Sequence, residues 1–281
     1  MAQITAALVK QLRESTGLPM MECKHALTES DGDFDKAKDW LRKRHRGKLE
    51  ERAGRQTGEG RIGIYIDEAR KIGGVIELCC ETAPVAKNEL FVNLANAFAR
   101  KVAQGSEESP DPAAIRDDPE IDALFVETYG KLRETMNFVQ CRRVTGEYVA
   151  SYVHHDGKTG VMLALDAVPG SDAVAADLCM HAAFTQPLAI EKDGVPAEEV
   201  EKVRSYAREA ALAEGKPENI VEKIIQGKVN AFFGEKVLME QLHARNDVYG
   251  KKKVRQVLAD AGVSAVTGLT VMKVGTVGNG E

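Results

Sequence analysis

The chain has 281 residues, of which 43% are hydrophobic and 29% charged, with a formal net charge of −5. This length can hold two or three domains with a hydrophobic core, and the acidic balance argues against a nucleic-acid partner, because such proteins are more often basic. No apolar run approaches the length of a membrane span, and the N-terminal residues lack the pattern of a secretory signal. We therefore expect a cytoplasmic protein without a membrane partner.

Residues 1–46 predict a compact bundle of three helices. The first helix covers residues 5–16 and ends at Thr16-Gly17, because glycine readily adopts the left-handed conformation at a helix C-terminus. Leu18-Pro19 turns the chain into the second helix, and a turn at residues 30–33 precedes the third. Helical spacing assigns one set of residues to the inner faces: Leu8, Val9, Leu12, Cys23, Ala26, Leu27, Phe34, Ala37, Trp40 and Leu41.

The pair Met20-Met21 lies at the first corner of this bundle. Two adjacent methionines cannot both point into one small core, so we expect at least one at the surface. Exposed methionine is flexible and polarizable, and it is common at protein-binding surfaces. The alternative is that both methionines are loose core filler, and the pattern alone supports it about equally.

A basic run, Arg42–Lys48, ends the third helix. Cations there complement the negative end of the helix dipole, so we interpret the run as a solvated helix end leading into a charged connector. A contact with RNA or with an acidic partner is the alternative. A domain boundary is expected near Gln56.

The remaining elements predict an α+β fold. A hairpin over residues 61–80 precedes a helix at 84–104 and a second helix near 121–132. The later elements are strands at Phe138–Val144, Glu147–Val153 and Val161–Val168, helices at 172–184, 197–214, 217–226 and 251–261, and a last strand at 265–274. The predicted architecture is a three-helix bundle (1–56) followed by two α+β core subdomains (57–137 and 138–281), with a helical hairpin inserted at about 196–230.

The segment Glu77–Phe91 predicts an exposed corner between a strand and a helix. Thr82 is the expected N-cap, its hydroxyl accepting an amide proton of the first turn, where Pro84 causes no loss of a backbone hydrogen bond. Phe91 is expected in the core. A corner of this kind exposes side chains at the edge of a sheet, which suits contact with a partner.

No sequence pattern for catalysis or for a cofactor is present. The chain has no phosphate-binding loop, no dinucleotide fingerprint after a strand and no Gly-x-Ser-x-Gly motif, so we predict neither an enzyme nor a bound cofactor. The five cysteines show no CxxC spacing and predict reduced, buried thiols without a metal site. His181, alone on a helix, is more typical of a packed histidine, and the turn at His154 matches no known set of metal ligands.

The stretch LRESTGLPMMECKHAL closely resembles the N-terminal signature of bacterial translation elongation factor Ts. Ten residues match at fixed spacing: Leu12, Arg13, Thr16, Gly17, Met20, Met21, Cys23, Lys24, Ala26 and Leu27. The segments Glu77–Phe91, GEYVASYVHHDGKTGVMLAL, DLCMHAAFTQPLAI and GKPENIVEKIIQGKV extend the resemblance over nearly the whole chain.

The resemblance implies a guanine-nucleotide exchange factor that binds elongation factor Tu and promotes GDP release. It implies a ubiquitin-associated-like N-terminal bundle that contacts the GTPase domain of that partner. The contact residues that it implies are Leu12, Met20, Met21, Thr82, Ala83, Pro84, Val85, His154 and His181.

One departure from the family lies at the corner. The family usually has Thr-Asp-Phe-Val where this chain has Thr82-Ala83-Pro84-Val85. In the family the Phe wedges into elongation factor Tu and disturbs its bound magnesium, and Pro84 is too small and rigid to reach as far. The alternatives are therefore a binding protein or chaperone for elongation factor Tu with weak exchange activity, and an RNA-associated protein that uses Arg42–Lys48. A homodimer through Leu188–Ile190, the helical hairpin or Phe232-Phe233 also stays open.

Overall fold

The computed structural model describes residues 4–52 and 54–275, and it combines α-helices with two small antiparallel sheets. The predicted α+β class is confirmed. None of the helices in these two ranges is long and apolar enough to cross a membrane.

The three predicted helices form the N-terminal bundle as α1 (Ala6–Thr16), α2 (Met20–Glu29) and α3 (Phe34–Arg52), although α3 continues past the basic run that was expected to end it. Thr5 caps α1 by accepting the amide proton of Leu8, and Gly17 ends the helix with a φ of 69°. The inner faces meet in a core that contains Val9, Leu12, Leu18, Cys23, Ala26, Leu27, Ala37 and Leu41. Both Met20 and Met21 lie outside this core, which excludes the interpretation as core filler.

The first sheet has the strand order β1-β2-β3, with helices packed on it. Its elements are β1 (Glu59–Ile66), β2 (Ile72–Cys80), α4 (Ala83–Ala86), α5 (Glu89–Gln104), α6 (Pro112–Arg116), α7 (Pro119–Leu132) and β3 (Met136–Thr145). The predicted helix at 84–104 is in fact two helices, because Asn88 starts α5 by accepting the amide proton of Leu90. Phe91 is fully buried, as predicted.

The strand predicted at Phe138–Val144 was grouped with the second set of elements, and this grouping is wrong. The strand is β3, which pairs antiparallel with β2 and completes the first sheet. Hydrogen bonding between strands is a long-range property, and the local pattern of the strand does not specify its neighbour.

The second sheet has the order β4-β5-β6, with α8 and α12 in its core. Its elements are β4 (Tyr148–Val153), β5 (Thr159–Leu165), α8 (Asp172–Thr185), α9 (Ala197–Ala213), α10 (Glu218–Lys236), α11 (Asn246–Tyr249), α12 (Val254–Asp260) and β6 (Val266–Lys273). Helices α9 and α10 form the predicted hairpin, although α10 continues to Lys236 rather than ending at Gln226. The two sheets contact each other through Ile62, Val75, Val144, Val149, Met162, Ala164 and Met272.

Two glycines allow α5 to lie directly on the first sheet. A Cβ atom at Gly63 would overlap the backbone of Ala95, and one at Gly74 would overlap the carbonyl oxygen of Ala99. The backbone of α5 is therefore in direct contact with β1 and with the start of β2.

Replacing Gly74 by alanine is expected to lower the free energy of unfolding by about 2 kcal/mol, because the added methyl group meets helix backbone that cannot move aside. Urea unfolding followed by circular dichroism measures this change. Gly227→Ala is the control: Gly227 lies in α10 with nothing within 4 Å of its added Cβ, so stability should rise by about 1 kcal/mol. Wild-type stability in Gly74→Ala would contradict the direct packing of α5.

Candidate partner-binding surface

The corner after β2 is exposed, but its N-cap differs from the prediction. The side chain of Thr82 makes no capping hydrogen bond to α4. Its hydroxyl donates instead to Oε1 of Glu134 at 2.6 Å, and its backbone amide donates to Oε2 at 3.0 Å. Charged acceptors form the stronger hydrogen bonds, which explains why the hydroxyl turns away from the helix.

The other corner residues follow the expected pattern. Pro84 lies in the first turn of α4 and is exposed, as predicted. Ala83 is half-buried, and Val85 packs against the core of the first sheet. The corner thus presents Thr82 and Pro84 outward and is anchored through Val85.

The turn that carries His154 lies at the same end of the sheets as the corner. Glu59 pairs with Cys80 at the end of β2, and the Nζ atom of Lys158 lies 2.7 Å from the carboxylate of Glu59. The amide of Ile62 also donates to the carbonyl oxygen of Gly157 at 2.9 Å. These contacts hold the 154–160 turn beside the start of β1, and therefore close to the corner.

His154 is half-buried, and its Nδ1 atom lies 2.9 Å from the hydroxyl of Tyr152. The neighbouring His155 is exposed, with the two ring centroids 4.2 Å apart. One face of this histidine pair is thus fixed by Tyr152, and the other is available to a partner.

The methionine corner of the bundle is a second exposed surface. Met20 is 52% exposed and Met21 is 71% exposed, so both side chains are free to contact a partner. Leu12, which the resemblance nominated with them, is fully buried in the bundle core. Leu12 therefore packs in the core beneath the methionine surface and is not itself a contact residue in this structure.

Glu22 follows the methionine pair and joins the bundle to the rest of the chain. The Nη2 atom of Arg133 donates to Glu22 at 2.7 Å, and Nε2 of His45 lies 3.3 Å from the same carboxylate. Burial opposes the ionisation of Glu22, but the hydrogen bond of His45 and the positive charges of Arg133 and Lys48 outweigh it and lower its pKa.

A three-residue loop between α7 and β3, residues 133–135, connects the two exposed surfaces. Arg133 contacts Glu22 of the bundle, and Glu134 holds Thr82. The amide of Thr135 donates to Glu81 at 2.8 Å, one residue before the corner. This loop could not be predicted from the sequence, because its partners are distant in the chain and no motif marks it.

His181 is not part of this surface. It is 2% exposed, its Nε2 atom lies 2.8 Å from Oε1 of Gln241, and its Nδ1 atom accepts the amide proton of Ala244 at 3.1 Å. Its ring stacks on His243 with centroids 5.0 Å apart. The interpretation of His181 as a packed, hydrogen-bonded histidine is confirmed, and its burial is inconsistent with direct contact to a partner.

The cysteines are buried free thiols, as predicted. Burial raises the pKa of both Cys79 and Cys80 to about 12, so these thiols stay protonated at neutral pH. Within residues 4–52 and 54–275, no group of three or more His, Cys, Asp or Glu side chains is arranged to hold a metal ion.

Comparison with known proteins identifies the family. A family profile described as elongation factor TS matches residues 81–276. An elongation factor Ts of Bordetella petrii is 41% identical over 269 residues, which cover 94% of this chain and 89% of the relative. An elongation factor Ts of Aquifex aeolicus is 38% identical over 270 residues, covering 91% of this chain and 92% of the relative. The chain belongs to the elongation factor Ts family, as the N-terminal signature indicated.

Proposed function

We propose that this protein is a guanine-nucleotide exchange factor that binds elongation factor Tu and promotes GDP release during translation elongation. Membership in the elongation factor Ts family supports this function. The observation that carries it in this chain is the pair of exposed methionines linked through the 133–135 loop to the exposed corner at Thr82 and Pro84. The proposed contact residues are Met20, Met21, Thr82, Pro84 and His154, with Leu12, Ala83 and Val85 in supporting positions, and His181 is not among them.

Exchange of this kind requires no catalytic residue. A factor that binds the empty GTPase better than the nucleotide-bound form weakens nucleotide binding by the same ratio, since the two affinities are linked. The GTPase carries much of its phosphate affinity in its magnesium ion and phosphate-binding loop, so contacts that disturb either one favour release. We therefore propose that the protein is not an enzyme in the sense of bond chemistry.

The proposed domain division keeps the bundle at 1–56 and two α+β core subdomains after it. Because β3 completes the first sheet, we place the boundary between these subdomains at Gly146 rather than at residue 138. The proposed location is the cytoplasm, where translation takes place. The family match supports elongation factor Tu as the partner and gives no support to a homodimer.

The family match also favours exchange over binding without exchange, which Ala83-Pro84 had suggested as the alternative. Pro84 and Thr82 are exposed at the expected place, so the corner can still contact the partner. We expect its contribution to be smaller than in relatives with the Asp-Phe pair, because neither an acidic side chain nor an aromatic ring is present there.

Release of a fluorescent GDP from elongation factor Tu tests the function. With excess unlabelled GDP, a saturating amount of this protein is expected to accelerate release by at least about 100-fold, equivalent to a barrier to release that is about 3 kcal/mol lower. Co-elution on a sizing column establishes binding independently. Binding without acceleration would contradict exchange and would support a binding protein or chaperone.

A further inference from the structure

We propose that Glu134 is a positioning residue for the corner, and that the 133–135 loop makes the methionine surface and the corner one rigid contact unit. The inference rests on the proposed function and deepens it. It assigns a role to residues that lie outside the proposed contact set and outside every recognised motif.

The corner needs an external support. Helix α4 has four residues, Ala83–Ala86, and a helix this short is not stable by itself. Its direction is therefore set by what its ends contact. Val85 and Ala86 pack against the core, whereas the outer end at Thr82 is exposed and has its fixed partner in Glu134.

Glu134 holds Thr82 with both carboxylate oxygens. One oxygen accepts the backbone amide proton and the other accepts the hydroxyl proton, at 3.0 and 2.6 Å. Two hydrogen bonds to a charged acceptor fix both the backbone and the side chain of the residue that precedes Ala83 and Pro84. Thr82 could not be held in this way by a neutral side chain with one acceptor.

The same loop is attached to the bundle. Arg133 has a left-handed backbone with a φ of 59°, and its amide donates to Tyr129 at the end of α7. This turn directs the side chain of Arg133 to Glu22, the residue after the methionine pair, and its Nη2 atom donates to Oε1 of Glu22 at 2.7 Å. The side chain of Arg52, at the end of α3, also donates to the carbonyl oxygen of Arg133 at 2.8 Å. Consecutive residues of one loop thus connect the bundle and the corner.

This arrangement suits a corner that has no wedge. Residues 83 and 84 carry neither an acidic nor an aromatic side chain, so the side chains of the corner extend only a short way toward the GTPase. The effect of the corner on the GTPase therefore depends on being held at a fixed distance from the methionine surface. Pre-organisation of two contact surfaces reduces the entropy lost on binding. Because Glu134 orients the corner that acts on the GTPase, we expect its loss to slow the exchange step. Arg133 holds the methionine surface, so we expect its loss to weaken binding.

Amide hydrogen exchange tests the support directly. In Glu134→Gln, one carboxylate oxygen becomes an amide group that cannot accept the protons of Thr82, so exchange in residues 82–86 is expected to be about tenfold faster than in wild type. Amide hydrogen exchange in α5 is expected to be the same as in wild type. Glu127→Gln is the matched control, because Glu127 is exposed on α7 and its side chain pairs with Lys131 of the same helix.

The kinetics of nucleotide release separate a positioning role of Glu134 from a general loss of structure. In titrations with elongation factor Tu bound to fluorescent GDP, Glu134→Gln should lower the maximal release rate about fivefold and change the half-saturating concentration less than twofold. Arg133→Ala should raise the half-saturating concentration about fivefold and retain the maximal rate. Glu127→Gln should match wild type in both quantities.

The outcomes discriminate clearly. If Glu134→Gln matches Glu127→Gln in both amide exchange and release rate, the inference is overturned while the proposed function stands. If Glu134→Gln and Arg133→Ala each lower the maximal release rate, raise the half-saturating concentration and lower the melting temperature together, the loop is merely structural and the inference is also overturned. If the wild-type protein itself does not accelerate release, the proposed function fails, and amide exchange still decides whether Glu134 holds the corner.

Discussion

Replacing Met20 and Met21 together by alanine is expected to weaken binding to elongation factor Tu by about 30-fold. Both side chains are more than half exposed, so they contribute little to folding and are free to be buried by a partner. Loss of about 1 kcal/mol of apolar burial for each side chain gives about 2 kcal/mol, which corresponds to this factor. Isothermal titration of nucleotide-free elongation factor Tu with each protein measures the change.

The matched control for this pair is Leu212→Ala. Leu212 is 57% exposed on α9 of the helical hairpin, so its replacement removes a similar apolar surface from another part of the molecule. Its affinity should stay within about twofold of wild type. Equal affinity of the double methionine variant and wild type, with the melting temperature unchanged, would exclude the methionine surface from the interface.

Local signals explain how much of the fold the sequence predicts. The end of α1 is encoded by Gly17. The strands β1 and β2 are rich in β-forming residues and are joined by a short turn, so their pairing is local in the chain. The neighbour of β3 is not encoded locally, since β2 and β3 are separated by α4 to α7 and pair only in the folded protein. Element type was therefore predictable, and the sheet membership of β3 was not.

The same distinction applies to the candidate site. The exposure of at least one methionine follows from their adjacency on one small helix, whereas the exposure of both is seen only in the structure. The hydroxyl of Thr82 was expected to cap a helix within its own segment, but Glu134, 52 residues away, provides a stronger acceptor. His181 was nominated from its place in a matching segment, but Gln241, 60 residues away, holds it in the core.

The basic run Arg42–Lys48 shows why a charge pattern alone did not decide between its interpretations. Arg46 pairs with Asp122 of α7, and Lys48 lies 3.9 Å from Glu22. His45, within the same run, is 4% exposed and packs against Tyr129. His45 and Arg46 therefore hold α3 against α7, which favours a structural role for this part of the run over contact with RNA.

Acidification from pH 7 to pH 5 is expected to lower the free energy of unfolding by about 2 kcal/mol through His243 alone. Burial, with smaller repulsion from His181 and Arg245, depresses the pKa of His243 to about 4, although Asp177 and Asp247 oppose this shift. In the unfolded chain the imidazole of His243 binds a proton near pH 6.5, whereas in the folded chain it stays neutral until the pH approaches 4. The stabilisation is therefore complete above pH 6.5 and is lost as the pH falls toward 4.

Urea unfolding at pH 7 and at pH 5 tests this dependence, with His243→Asn as the variant. Asparagine does not titrate, and its Oδ1 atom can accept the amide proton of Arg245, which Nδ1 of His243 accepts at 3.1 Å in the wild type. The variant is expected to be less stable at pH 7, because a buried ring is lost, but to lose about 2 kcal/mol less on acidification. His155→Asn, at an exposed histidine, should show the wild-type dependence. An unchanged pH dependence in His243→Asn would assign the acid sensitivity to other groups, such as His181 or His45, whose pKa values burial also lowers.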